Sequence, residues 1–317
     1  MKILEFKLID SHVHFDVKGY DIVTIEKRYI DEYGKEKWLK LQSKNQYQSK
    51  KWAQAWGFPK KEPTDNDVKI TSARWLEEMK KYNIEKLVFV TGGNNEILSK
   101  IIQDNPEHFI GYAHHNPFES DSASKLEFAI SEQGLKGYKI IAPDLSGKIN
   151  DTSLEPMWKV AEKYQIPVLI HFGILGAAGG LATHVNINPM IIHDVARAHP
   201  DIPFIIPHLG CGHPQELLQL AWVCPNIYVD TSGSNQWVRW MPYPLTVKEL
   251  FKKYYETIGP ERIIFGTDSE WFPRGFVKQY YDEQRKDCVE LGMKQDELKL
   301  IFRDNIARLL KLGDNDG

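Results

Sequence analysis

From residue 70 onward the chain alternates between two kinds of segment. Short runs of β-branched and other apolar residues give way to a turn, and the turn to a longer stretch with helical spacing. The runs are KLVFVTG (86–92), FIGYAHH (109–115), LKGYKII (135–141), IPVLIHF (166–172), IPFIIPH (202–208), NIYVDTS (226–232) and RIIFGTD (262–268). With KLIDSHVHF (7–15) at the start, they predict eight strands. Their near-continuous apolar character predicts parallel strands covered on both faces. Helices are predicted over 71–83, 121–133, 153–165, 188–200 and 213–224; several open on a Ser, Thr, Asp or Asn cap and stop near Gly or Pro. Eight β–α units in 317 residues predict an α/β fold, a (β/α)8 TIM barrel forming one domain over 1–317. A doubly wound open sheet fits less well. It usually carries fewer strands and a glycine-rich turn, and TGGNNE (91–96) is not G-x-G-x-x-G.

One segment breaks the repeat. Residues 16–69 separate the first strand from the first repeating helix and are rich in Lys, Gln, Tyr and Trp, as in EKWLKLQSKNQYQSKKWAQAWGFPKK (36–61). Long structureless loops are uncommon unless they serve function. The segment is therefore read as a partly helical insertion in the first βα-loop, lying over the catalytic mouth.

Composition narrows the function. The chain is 42% hydrophobic and 26% charged, with a net charge of −3. This balance favours neither nucleic acid nor an anionic membrane as partner. No apolar run is long enough to span a bilayer, and the charged N-terminus MKILEFKLID is not a signal peptide. Cys211, Cys224 and Cys288 are too scattered for a disulfide framework or a zinc finger. A cytoplasmic location, a small-molecule substrate and a homodimer are the expectations.

The chemistry gathers at strand ends. In LIDSHVHFD (8–16), a side-chain period of two puts His12 and His14 on one face and Val13 on the other. A lone H-x-H is weak evidence for a metal. However, the fifth strand ends in His171, the sixth in His208 and the eighth in Asp268. In a barrel of this kind the C-terminal strand ends line the active site. Four histidines and a carboxylate at one rim point to a metal centre.

This order resembles the amidohydrolase superfamily, and DSHVHF, IHFG, IPHLGCGHPQEL and IIFGTDSEWFP look like its amidohydrolase-related branch, as does the ending FRDNIARLLKL (302–312). The resemblance implies that His12, His14, His171 and Asp268 hold a divalent metal, usually Zn(2+), with Mn(2+) as the other candidate. It also implies that His208 acts beside the metal. Neutral imidazoles with one carboxylate suit zinc independently. The activity implied is metal-dependent hydrolysis of an amide, ester or lactone by metal-activated water, with His208 and Asp268 catalytic. The alternative is a lyase, a non-oxidative decarboxylase or hydratase of an aromatic or muconate-like acid. Some decarboxylase relatives replace the first histidine of H-x-H with Glu; this chain keeps both, which leans towards hydrolysis. Binuclear relatives carry a carboxylated lysine on strand four. Lys139 stands there and is read instead as a structural or substrate-contacting residue.

Remaining candidates carry less. Trp271 and Arg274 follow Asp268 and suit a carboxylated or aromatic substrate. Glu270 could orient a metal ligand. Trp237, Arg239 and Trp240 are read as loop packing, and His114 or His115 as structural or substrate-facing. The Gly/Ala-rich loop around His184 (176–186) is a candidate for closure over substrate. Asp144 and Asp230 could serve a glycosidase, but that reading leaves the histidines unexplained.

Overall fold

A computed structural model describes residues 6–19, 25–174 and 184–313. Eight parallel strands run in chain order: β1 (Leu8–His14), β2 (Ile84–Thr91), β3 (Phe109–His114), β4 (Gly137–Ile141), β5 (Val168–His171), β6 (Phe204–Ile206), β7 (Ile227–Asp230) and β8 (Ile263–Ile264). Each predicted run contains its strand except the second, where β2 begins two residues earlier, at Ile84. The barrel is nearly closed, because β8 returns to β1 through single contacts rather than a full ladder. Ser11 N donates to Phe265 O at 3.2 Å, Asp268 N to His12 O at 2.8 Å and His14 N to Ser269 O at 2.7 Å.

Helices flank the strands: α1 (Ile25–Tyr33), α2 (Lys35–Ala55), α3 (Val68–Tyr82), α4 (Asn95–Gln103), α5 (Ser122–Ser131), α6 (Glu155–Tyr164), α7 (His193–Ala198), α8 (Pro214–Val223), α9 (Val247–Ile258), α10 (Lys278–Glu290), α11 (Gln295–Lys299) and α12 (Asn305–Leu309). The five predicted helices are present, although 188–200 splits into a 3-10 turn and the short α7. Sequence reasoning passed over α4, α9, α10, α11 and α12. Asn94, inside the turn TGGNNE, caps α4 by accepting from Ile97 N, and Thr246 with Glu249 forms a capping box on α9. No helix among the described residues is long and apolar enough to cross a membrane.

Two apolar clusters explain where polar groups can stand. The outer one joins strands to helices and includes Trp75, Leu87, Phe89, Tyr138, Ile170 and Val229. The inner one draws Ile9, Val88, Ile110, Tyr112, Leu169, Ile205 and Ile264 from the strands and is plugged by Ile306 and Leu310 at the C-terminal end of the chain. On β3, β5 and β7 alternation continues the inner column upward from apolar to polar: Tyr112 to His114, Leu169 to His171, Tyr228 to Asp230. The barrel floor is mainly apolar, and its mouth is polar. β1 needs an irregularity to join this scheme, since Ile9 and His12 are three residues apart and strict alternation would oppose them. Its pairing with β2 shifts register between Asp10 and Val13 and again at His14.

Phe89 is fully buried where its ring meets Phe15, Trp75 and Phe109 at 5.2, 5.8 and 5.0 Å between centroids. Phe89→Ala is expected to cost about 3–5 kcal/mol in urea unfolding. Trp222→Ala, at a side chain 71% exposed, should stay within about 0.5 kcal/mol. Equal losses at the two positions would contradict this account of the core.

Candidate metal centre

The mouth brings four imidazoles into one string. Ring centroids lie 5.2 Å apart from His14 to His12, 5.2 Å from His12 to His208 and 4.9 Å from His208 to His171. Asp268 completes the group. Its Oδ1 stands 3.1 Å from His14 Nε2 and 3.5 Å from His12 Nε2. Among the described residues, His12, His14 and Asp268 form the one cluster whose ligand atoms all lie within 4.8 Å of each other. His171 stands one place further along.

Each ring is oriented by its other nitrogen. His12 Nδ1 lies 2.6 Å from Asp230 Oδ2, so a neutral His12 donates there and keeps a lone pair on Nε2. His14 Nδ1 faces Thr91 Oγ1 at 2.5 Å, leaving Nε2 towards Asp268. His208 Nδ1 donates to the Ser232 carbonyl at 3.1 Å, and His171 Nδ1 can donate to His208 Nε2, also at 3.1 Å. That relay leaves His171 Nε2 as a lone pair. Both His12 Nε2 and His171 Nε2 are buried without a hydrogen-bond partner. The bare Nε2 of His12 faces the Asp268 carboxylate at 3.5 Å, and a lone pair beside a carboxylate is unfavourable unless a cation lies between them. The donor set therefore fits a divalent metal.

Electrostatics keep the set in ligand form. Burial, and then the charge of Lys139, hold His12 well below the usual histidine range. Burial, with His208 and Lys139, does the same for His171. For Asp268, burial pushes upward, but His208, the His14 hydrogen bond and His12 outweigh it and hold the carboxyl well below the usual range. Asp230 is fully buried, and desolvation raises it to about 6 despite His208 and the Ser232 hydrogen bonds.

Close approach requires glycine at two positions. A Cβ on Gly233 would lie 3.2 Å from His208 Nδ1 and 3.6 Å from Asp268 Oδ2, and one on Gly266 only 2.7 Å from His12 Cβ. Gly233 also has φ +79°.

The other predicted residues fall into place around this centre. Lys139 points inward from β4 and is buried. The carbonyl of Lys139 meets His114 Nδ1 at 2.9 Å, whereas His115 Nε2 turns to the Ser122 carbonyl at 3.0 Å, so both histidines are held by backbone. Arg274 lies over the rings of Trp271 and Phe58. The orienting carboxylate beside His12 is Asp230. Its signal was its place at the end of NIYVDTS. Cys211 is held by Ile174 O at 3.5 Å and burial pushes its thiol up to about 12, which suits packing rather than nucleophilic attack. His184 is described, but residues 175–183 of its loop lie outside the described residues.

With this geometry in hand, comparison with known proteins is decisive. A model of the amidohydrolase family matches residues 9–312. The chain belongs to the amidohydrolase family. As an amidohydrolase it is an enzyme of a metal-dependent family that includes hydrolases and decarboxylases. Solved structures of the same fold include an uncharacterised TIM-barrel protein from Bordetella bronchiseptica, 20% identical at a TM-score of 0.66, covering 96% of this chain and 99% of that one. Another is 5-carboxyvanillate decarboxylase from Novosphingobium aromaticivorans, complexed with manganese and 4-hydroxy-3-methoxy-5-nitrobenzoic acid. It is 16% identical at a TM-score of 0.65, covering 98% and 97% of the two chains. A third is a probable 2-pyrone-4,6-dicarboxylic acid hydrolase from Acinetobacter baumannii with citric acid bound, 14% identical at a TM-score of 0.60, covering 97% and 100%.

Lys139 gives this amidohydrolase a pH signature. Burial lowers its ammonium from 10.5 to about 8, against the opposing pull of Asp268 and Asp230. Between those values the unfolded chain binds more protons than the folded one, so stability rises with pH across that window. Lys139→Met is expected to abolish this rise and to add about 3 kcal/mol at pH 7. Urea unfolding at several pH values checks it; a variant with the parent's pH slope would contradict the assignment.

Proposed function

We propose that this amidohydrolase is a metal-dependent hydrolase acting on an amide, ester or lactone of a small carboxylated substrate. The observation that carries the reading is the set of bare Nε2 atoms on His12 and His171, with His14 Nε2 and the Asp268 carboxylate at the same rim. These four side chains would hold the ion, with zinc favoured by the nitrogen-rich donor set and manganese as the alternative. A divalent ion there supplies Lewis acidity and lowers the pKa of a water molecule towards about 7. Asp268 takes the proton of the attacking water and delivers it to the leaving group. His208, packed against His12 and His171, stabilises the charge that develops on the substrate carbonyl oxygen when its Nε2 is protonated and turned from His171 to the substrate.

The segment 16–69 is proposed to cover this site and supply substrate contacts. Trp52 Nε1 donates to Ser234 Oγ at 3.3 Å, Arg28 to the carbonyls of Asp144 and Leu145, and Glu62 N to Phe272 O at 2.9 Å. All four acceptors lie in loops beyond the C-terminal strand ends, which supports placement at the mouth. Trp271 and Lys139 are the contacts proposed from the barrel itself. The second reading is a decarboxylase on the same site. It is favoured by a relative of the same fold, the 5-carboxyvanillate decarboxylase, whose complex pairs manganese with an aromatic acid.

His208→Ala is expected to keep most of the metal and to lose turnover by a factor on the order of 10² or more. Asp268→Ala should lose both activity and metal affinity. A screen of carboxylated esters, lactones and aromatic acids in ¹⁸O-water distinguishes the reactions. Hydrolysis places solvent oxygen in a new carboxylate. Release of CO₂ with gain of only a solvent proton would replace the hydrolase reading by the decarboxylase.

A further inference from the structure

The two residues placed closest to the chemistry both sit on left-handed backbone. Asp268 has φ 57° and His208 φ 58°. Neither is glycine, although Asp and His are among the residues that reach this region most readily, so what matters is the contacts that hold them there. His208 opens a run of five, since Leu209, Gly210, Cys211 and Gly212 follow at 49°, 91°, 42° and 94°.

Each of the two is pinned through its carbonyl by a side chain, Asp268 from further along its own loop and His208 from the loop after β7. Arg274 Nη1 donates to Asp268 O at 3.2 Å, and Trp237 Nε1 donates to His208 O at 2.9 Å. The orientation of a residue's carbonyl is set by its own ψ, so a donor fixed there fixes that torsion. At Asp268 the other side is fixed as well, because its N–H donates to His12 O at 2.8 Å. No donor other than Arg274 reaches Asp268 O among the described residues, whereas His208 O also accepts Cys211 N at 2.9 Å.

The donors are themselves immobilised. The Arg274 guanidinium lies 4.5 Å from the centre of the Phe58 ring and 4.6 Å from that of Trp271. A planar cation stacked on two aromatic rings has little freedom to leave its acceptor. Trp237 is buried, and its N–H is shared with Asn235 Oδ1 at 3.3 Å. The Asn235 amide in turn donates to Thr231 O at 3.0 Å.

We propose that Arg274 and Trp237 are positioning residues that cap the carbonyls of Asp268 and His208 and so aim both side chains at the His12–His14 pair. The inference rests on the roles proposed above for Asp268 and His208. It assigns Arg274 to the metal-side carboxylate rather than to substrate. Phe58 thereby links the segment between β1 and α3 to Asp268, through Arg274.

The test uses the full chain, with Zn²⁺ and Co²⁺ as probes. Zinc affinity is read by competition with a chromogenic chelator, ligand geometry by the visible spectrum of the cobalt form, and folding by the unfolding transition of the metal-free chain. Arg274→Met is expected to weaken zinc binding by about tenfold to a hundredfold, as removal of a group orienting a metal ligand does. It should also alter the cobalt spectrum while unfolding stays cooperative. Arg274→Lys, which keeps the charge but not the planar stack, should recover only part of the affinity. Trp237→Phe removes one N–H and keeps the ring bulk. It should leave zinc affinity within about twofold, because His208 is not needed to hold the ion, yet shift the His208 ring signals in ¹⁵N-histidine NMR spectra. Parent-like zinc affinity and cobalt spectrum in Arg274→Met, or unmoved His208 signals in Trp237→Phe, would overturn the assignment for that residue. Asp268→Ala separates the two levels. If it loses zinc while Arg274→Met does not, positioning alone fails. If Asp268→Ala binds zinc as tightly as the parent, the ligand role fails and the Arg274 inference with it.

Discussion

The arrangement at the mouth depends on how β8 is fastened to β1. Among the described residues no ladder joins them, so a few hydrogen bonds determine the separation of Asp268 from the two histidines of β1. Asp268 N to His12 O and His14 N to Ser269 O interleave β1 with the residues that follow β8. Below them, buried Asp10 accepts from Thr267 N at 2.9 Å and also from the Thr267 hydroxyl. Burial raises Asp10 to about 7, with the Thr267 hydrogen bonds opposing. The seam that closes the barrel is the seam that assembles the metal-binding candidates. A (β/α)8 fold brings strand ends together in any case, but this joint sets them at ligand distance.

The electrostatic cost of the centre is consistent with a function. Neutral imidazoles, a buried lysine, two buried carboxylates and two left-handed residues are each unfavourable in a metal-free chain. They occur together at the polar end of a barrel whose other end is filled with Ile, Val, Leu and Tyr. The apolar floor supplies stability, and the mouth uses part of it to hold lone pairs ready for a cation. Natural enzymes commonly trade stability for function in this way.

Much of this was legible in the sequence. Each strand announced itself as an apolar run, and because the chain begins every strand at the barrel floor, the last residues of each run were bound to meet at one rim. His12, His14, His171, His208 and Asp268 could be collected on that logic alone. Other features could not. The period-two argument for His12 and His14 is sound, but the register shifts in β1 that also bring Ile9 inside have no local marker. The helix α4 hid behind a turn that looked like a loop, although Asn94 was its cap. Left-handed backbone at Asp268 and His208, and the donors on their carbonyls, depend on contacts between residues six and 29 positions apart. Asp230 was visible as a strand-end carboxylate, but its partner His12 lies 218 residues away.

The most direct test of the central claim is anomalous diffraction from crystals of the full chain grown with Zn²⁺. The account expects a single peak per chain within about 2.0–2.2 Å of His12 Nε2, His14 Nε2, His171 Nε2 and an Asp268 oxygen. A zinc-saturated crystal with no peak at these atoms, or with the ion held by other residues, would contradict it.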